Sequence, residues 1–459
     1  MLRSIADTFS NCFKIPELKS RILFTLLVLL ICRLVSMAPL PGLDGGALKE
    51  YFDSLPQNTD ASILGMFNLF TGGALGRCAV GSLGIMPYIS ATIIIQLLSA
   101  VLPRLARLAR EEGGRTKIVQ YGRFLTVVLC LGQGYVMALT FENPGKIFSG
   151  FEGELVLFDN VWGYRILTAI LLTAGTVLLM WLGEQITERG IGNGISLIIT
   201  IGILSRLPLA YQGLKDMFLP PEGVEQQYTI IHAAGLLVTL IAVIAGVIAV
   251  TQAQRKIPVQ YAQRSVGRKV YAGGSSFMPL RVNYAGVMPV IFAQAILMFP
   301  SYILNALGQT FDLVILQKMA GQLQYGSFYY LLLYSAMIMF FSYFWVATQF
   351  NEIQISDDLK KNGGYIPGVR PGQATTTFLH NTMSRITFAG AVFLTIIAVI
   401  PVIMATNLNI SFNVSSFFGG TGVLIMVGVM LDTMRQMESH LLMRHYDGFL
   451  KKGRMRGRI

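Results

Sequence analysis

Ile85 and Ile89 stand four residues apart, and Ile195 and Ile199 repeat that interval, so each pair falls on one face of a helix. Ile291 and Ile425, in two later apolar stretches, can meet them at a similar depth. Branched apolar side chains converging on an opening exclude water and ions by dewetting, yet part for a larger chain. Plain helix packing produces the same spacing, so a sealing ring and an ordinary helix interface both stand at this level. Reactive constellations are missing. Gly190-Ile-Gly-Asn-Gly194 follows no strand and falls short of the dinucleotide-binding pattern. His440 and His445 lack the spacing of a zinc helix, His232 and His380 are isolated, and Cys12, Cys32, Cys78 and Cys130 form no C-x-x-C pair. No nucleophile, base and orienting group can be assembled, so the chain reads as a non-enzyme without metal or cofactor.

The elements that must carry these isoleucines follow from composition. Of 459 residues 53% are hydrophobic and 13% charged, against about 25% charged in an average soluble protein, and the mean hydropathy is +0.58. That is a multi-spanning membrane protein, all-α in class. Ten apolar segments are expected: 22–38, 78–102, 124–140, 166–182, 191–207, 230–251, 284–307, 327–348, 386–406 and 417–433. Lys and Arg crowd one set of connections, among them Arg104, Arg107, Arg110, Arg255, Lys256, Arg264, Arg268, Lys269, Arg370 and Arg385, while the other set holds little more than Lys49, Arg77, Lys146, Arg165 and Lys215. The positive-inside rule therefore puts both termini in the cytoplasm. Nothing near the start resembles a cleavable signal, so Met1 is expected to be the mature start.

Ten spans divide into five and five, and an odd number per half makes the second half enter the membrane from the opposite face. The expected organisation is a cytoplasmic segment 1–21, a first half 22–212, an inverted second half 213–436 and a basic tail 437–459, with the working site between the halves. Ion-coupled transporters place Asp, Glu or His inside their spans. Here the interiors offer Arg33, read as snorkelling or pairing at an interface, His232 near a span end, and the amides Gln96, Gln133 and Gln294.

Two further stretches are unusual. Residues 63–76 are apolar but too short and glycine-rich to cross a bilayer, which takes about 20 residues. Irregular backbone at membrane depth is tolerated only where protein or a water-filled cavity satisfies it, so this piece reads either as a movable stopper or as a plain loop entering a helix. The two long basic connections, 251–283 and 350–384, include Val259-Gln-Tyr-Ala-Gln263, a strand pattern, and Tyr365-Ile-Pro-Gly-Val-Arg-Pro-Gly372, whose glycines and prolines fix a turn with Arg370 at its tip. A rigid basic projection suits a phosphate-rich or acidic partner; the positive-inside rule alone supplies the charge but not the ordered turn.

Several blocks in one order then make the chain resemble the SecY family along nearly its whole length. They are Met66-Phe-Asn-Leu-Phe-Thr-Gly-Gly-Ala-Leu75, Leu83-Gly-Ile-Met-Pro-Tyr-Ile-Ser-Ala-Thr-Ile-Ile-Ile-Gln-Leu97, Trp181-Leu-Gly-Glu-Gln-Ile-Thr-Glu-Arg-Gly-Ile-Gly-Asn-Gly-Ile-Ser196 and Pro367-Gly-Val-Arg-Pro-Gly372. The resemblance implies an hourglass channel for unfolded polypeptides, with a pore ring at Ile85, Ile89, Ile199, Ile291 and Ile425 and Ile195 beside it. It implies a plug over about 61–76, including Ile63, Met66, Phe67, Asn68, Phe70, Gly72 and Gly73. A lateral gate for signal sequences would open between spans two and three on one side and seven and eight on the other. The loops with Arg255, Lys256, Arg264, Arg268 and Arg370 would dock the ribosome or the ATPase SecA, beside small SecE-like and SecG-like membrane subunits. Where the family often has a second arginine after Arg255, Lys256 keeps the charge but loses the planar fork.

Overall fold

A computed structural model describes residues 15–452, apart from 55–67, 69, 112, 148–150, 152, 154, 220–227, 262–263, 267–268, 272–273, 311–312, 324–325, 408–413, 415–416 and 418–420. The first part of the chain forms α1 (Pro16–Val35), α2 (Gly45–Ser54), α3 (Met86–Val101), α4 (Pro103–Arg110), α5 (Gly114–Glu142), α6 (Val161–Arg189), α7 (Gly194–Leu204) and α8 (Leu207–Phe218). The second part forms α9 (Ile230–Gln252), β1 (Gln254–Tyr261), β2 (Arg264–Val266), β3 (Lys269–Tyr271), β4 (Ser275–Arg281), α10 (Met288–Thr310), α11 (Val314–Gln322), α12 (Phe328–Gln349), α13 (Glu352–Lys361), β5 (Gly364–Tyr365), α14 (Gln373–Asn407) and α15 (Thr421–Lys452).

Each of the apolar segments falls on a helix. Among the described residues six stretches are long and apolar enough to cross a membrane: Thr116–Glu142, Val161–Arg189, Gly194–Phe218, Ile231–Gln252, Phe328–Lys361 and Gln373–Ile400. On α1, Leu23, Leu26, Leu27, Leu30 and Leu34 are each more than half exposed while Val28, Leu29 and Cys32 are buried. So wide an apolar face would drive a water-soluble protein to aggregate; against lipid it is an ordinary outer surface. Two ion pairs join neighbouring helices, Arg123–Glu184 and Arg165–Glu142, both at 2.8 Å. Cys32, Cys78 and Cys130 are buried free thiols, as expected of small apolar fillers.

Three helix boundaries differ from the hydropathy reading. The second apolar segment becomes helical only at Met86, because Cys78 (φ 45°) and Gly84 (φ 58°) hold left-handed turns and Pro87 sets the first helical turn of α3. Helix α14 begins at Gln373, ahead of Ile386, so the last third of the expected 350–384 loop is helix. Helix α15 runs through the expected span end and into the tail, since Met434, Met437 and Leu441 keep an apolar stripe that packs with Leu18 and Ile191.

The strands are confined to the two long connections, which fold together. β1 pairs antiparallel with β4, from Gln254↔Arg281 to Gln260↔Ser275, and with β5 at Gln260↔Tyr365 and Tyr261↔Gly364. β2 and β3 form a separate hairpin. The strand expected at Val259 is β1. Its Pro258 is tolerated because it faces β4 only, outside the short reach of β5. Ile257, Leu280, Val346, Phe350, Ile366, Leu379 and Met383 make a small core that fixes this sheet onto α12 and α14. Ile257→Ala removes packing from the centre of that core and is expected to destabilise the platform by about 2–5 kcal/mol. Limited proteolysis within 251–283 should accelerate while the apolar helices stay protected.

Candidate functional site at the apolar waist

Four helices deliver isoleucines to one place. Ile85 ends the turn before α3 and Ile89 follows one turn later; α7 carries Ile199, the first turn of α10 carries Ile291, and α15 carries Ile425. Their exposures are 4%, 4%, 2%, 1% and 0%. All five belong to the same buried cluster, with Ile195 partly buried against it. Helix α3 packs on α10 and α7 on α15, so the cluster closes between early and late parts of the chain.

The segment Gly190-Ile-Gly-Asn-Gly194 sets where α7 stands. Ile191 N–H donates to Thr25 Oγ1 at 3.1 Å, Gly192 N–H to Gln436 Oε1 at 2.9 Å and Gly194 N–H to Thr187 Oγ1 at 2.9 Å. Asn193 Oδ1 caps α7 by accepting from Ile195 N–H at 3.1 Å and Ser196 N–H at 3.4 Å. These amides are committed to other helices, which removes the phosphate-cradling use that glycine-rich turns have elsewhere. A Cβ at Gly194 would lie 1.9 Å from the Gly183 carbonyl oxygen, so only glycine permits this approach of α7 to α6.

Beside the waist lies a glycine-rich turn. Of the expected stopper residues, Ile63, Met66 and Phe67 lie outside the described residues. Phe70 is buried in the isoleucine cluster, Asn68 is buried, and Gly72 (φ 66°) and Gly73 (φ 85°) adopt conformations that favour glycine. Asn68 organises the turn: its carbonyl accepts from Gly73 N–H at 2.8 Å and its Oδ1 from Gly76 N–H at 3.1 Å. The turn rests on α7 through a glycine–glycine contact, a Cβ on Gly72 standing 3.0 Å from Gly202 Cα. Arg33 Nη1 donates to the Gly72 carbonyl oxygen at 2.8 Å, while Ser205 Oγ, 3.4 Å from that oxygen, gives its proton to the Gly202 carbonyl at 2.7 Å. Gly202→Leu should therefore unseat the turn. With the native cysteines replaced, labelling of Thr71→Cys by a membrane-impermeant maleimide is expected to rise severalfold over the Gly202 parent; unchanged labelling would mean that the contact is incidental.

Sequence reasoning missed Gly202 and Asp432 here and misplaced the partner of Arg33. Gly202 sits unmarked inside an apolar run, Arg33 reaches inward to the turn, and Asp432, in the last apolar segment, lines a half-enclosed cavity of about 410 Å³ with Asn193, Ser196, Arg281, Thr433 and Gln436. That cavity lies between the α6–α7 turn and α15, continuous in sequence with Ile195 and Val429 of the waist.

The expected docking residues sit apart from the waist. Arg255 and Lys256 are exposed on β1, and Arg370 is exposed in the turn after β5. Arg264 opens β2, and Arg268 lies outside the described residues. The Arg370 turn is braced: Val369 N–H donates to the Ile366 carbonyl, Thr375 Oγ1 to the Arg370 carbonyl at 3.0 Å and Ser356 Oγ to the Gly372 carbonyl at 2.9 Å. Tyr365 Oη donates to Gln260 Oε1 at 2.9 Å, joining the two loops.

Apolar-faced helices packed around a buried isoleucine cluster, with a glycine turn beside it, define a multi-pass membrane protein. A SecY family model matches residues 79–434. The chain is 41% identical over 458 residues to the protein translocase subunit SecY of Chlamydia trachomatis serovar D, covering 98% of this chain and 99% of that one. It is 41% identical over 456 residues to the subunit of the same name from Thermotoga maritima, covering 98% and 99%. The chain therefore belongs to the SecY family. Its fold resembles the solved structure of a protein-conducting channel (TM-score 0.56, 19% identity, 91% of each chain). It also resembles Sec61 of the canine ribosome–channel complex (TM-score 0.55, 19% identity, 93% of this chain and 96% of that one).

Proposed function

We propose that this chain is the channel subunit of a protein translocase, a passive pore through which unfolded polypeptides cross a membrane. Ile85, Ile89, Ile199, Ile291 and Ile425 form its constriction, with Ile195 at the adjacent wall, and residues 61–76 are the plug that closes it. The single observation that carries this reading is the burial of five isoleucines from four helices in one cluster with Phe70. Such a waist stays dry when empty, because a narrow branched apolar neck disfavours water and hydrated ions. An extended chain parts it without breaking any polar contact.

Ten spans in two inverted five-helix halves, with both termini cytoplasmic in a bacterial inner membrane, fit the helix order and the distribution of Lys and Arg. The α3–α10 seam is the natural lateral gate, where an apolar signal segment leaves for lipid: lipid tails solvate it as well as the gate does. Arg255, Lys256, Arg264, Arg268 and Arg370 form the docking face for SecA or the ribosome, which supplies the energy, and SecE-like and SecG-like subunits complete the complex. The test is a preprotein arrested partway through the reconstituted channel. Cysteines placed at 89, 199, 291 and 425 should each crosslink to the stalled chain, while cysteines on the leucine face of α1 should not. Crosslinking confined to the α3–α10 seam would instead make the protein an insertase without a transverse pore.

A further inference from the structure

Arg33 stands one turn from the end of α1, on a helix whose neighbouring leucines face outward. An unpaired cation at that depth is strongly disfavoured, and near a helix end a long side chain ordinarily reaches for water or headgroups. Arg33 does neither. Its guanidinium turns inward and donates to the carbonyl oxygen of Gly72, with Arg77 close enough to repel it. The acceptor is prepared for it. Gly72 is left-handed, its neighbour Gly73 is bonded back to Asn68, and the turn is seated on Gly202.

We propose that Arg33 is the latch that holds the plug shut, a positioning residue that acts on closure through a backbone carbonyl. This rests on the plug reading above. When the turn leaves, the Gly72 carbonyl goes with it and Arg33 stays on α1, so the charge-assisted bond exists in the seated state alone. An interaction made in one state only shifts the balance between the two. Because the acceptor is backbone, the latch depends on the conformation of Gly72 rather than on any plug side chain.

The test uses the full chain with its partner membrane subunits in proteoliposomes, following potassium efflux without substrate. Arg33→Met keeps the apolar stem and removes the donor. It is expected to raise efflux by about tenfold, the scale set by losing a hydrogen bond to a charged group, with Thr71→Cys labelling rising in parallel. Arg33→Lys, which keeps a charged donor, should restore most of the seal, a rescue that a merely structural role for the guanidinium would not give. Gly202→Leu run alongside separates the two ideas. If it raises efflux while Arg33→Met does not, the latch is wrong and the plug stands. If it exposes Thr71→Cys without raising efflux, the turn is not a plug. Arg33→Gln carries the same expectation as Arg33→Met and replaces it should the methionine variant fail to fold.

Discussion

Replacing both Ile89 and Ile199 with glycine is expected to make the resting channel conduct ions in the absence of any substrate. The two side chains come from different helices and are only 4% and 2% exposed in one shared apolar cluster. Removing them leaves a gap lined by backbone, whose carbonyls and amides water can solvate, where branched methyl groups previously kept the neck dry. Resting conductance of the purified complex in a planar bilayer should rise at least about tenfold, a lower bound set by the loss of two fully buried isoleucines from one seal. Single replacements should leak less than half as much, because residues of one apolar cluster compensate for one another. Adding Gly202→Leu should raise the leak further if the turn at 70–76 closes the same passage. Unchanged conductance in the double variant would remove these isoleucines from the barrier and return them to plain helix packing.

Arg370→Glu is expected to abolish motor-driven or ribosome-linked export while leaving the channel folded and sealed. The side chain is exposed at the tip of a turn whose shape is set independently of it: Gly368 (φ 82°) and Gly372 (φ 105°) take the conformations that favour glycine, Ile366 is buried beneath, and Ser356 and Thr375 hold the flanking carbonyls. Charge reversal at a fixed tip replaces attraction to an acidic or phosphate surface by repulsion, and rigid presentation prevents the loop from turning away. Export in a reconstituted assay should fall by about 10- to 100-fold, the effect of losing a central charged contact. Resting conductance and thermal midpoint should stay as in the parent. Arg370→Lys should retain part of the activity, since it keeps charge but not the bidentate fork. Normal export by the glutamate variant would take this loop out of the mechanism.

Much of this arrangement was legible before any coordinates. Hydropathy located the helices because burial in lipid and burial in protein both select apolar side chains, and the Ile85/Ile89 and Ile195/Ile199 intervals marked their shared faces. The Tyr365–Gly372 turn was legible because its glycines and prolines have local conformational meaning. What escaped was long-range. Nothing local in Gly364-Tyr365 announces that it will pair with Gln260 and Tyr261, and without that pairing the 251–283 and 350–384 connections read as separate loops. Gly202 looks like any small residue in an apolar run until Gly72 is set against it. Arg33 looked like an interfacial anchor because a window average registers the charge and not its partner. The start of α14 was misjudged since its first turns, Gln373 to Ser384, are polar on the face turned away from the Ile257–Met383 core.

The sheet formed by β4, β1 and β5 has a mechanical consequence. Strand β1 leaves α9 almost at once, and β4 ends at Arg281, a short turn before Met288 opens the helix that carries Ile291. The surface proposed for docking is thus joined to the helix that carries Ile291 by a paired strand and a short turn, with little slack chain in which a tug would be lost. If a motor docks at Arg370 as proposed, it need not reach inside to move Ile291; the sheet gives it a handle.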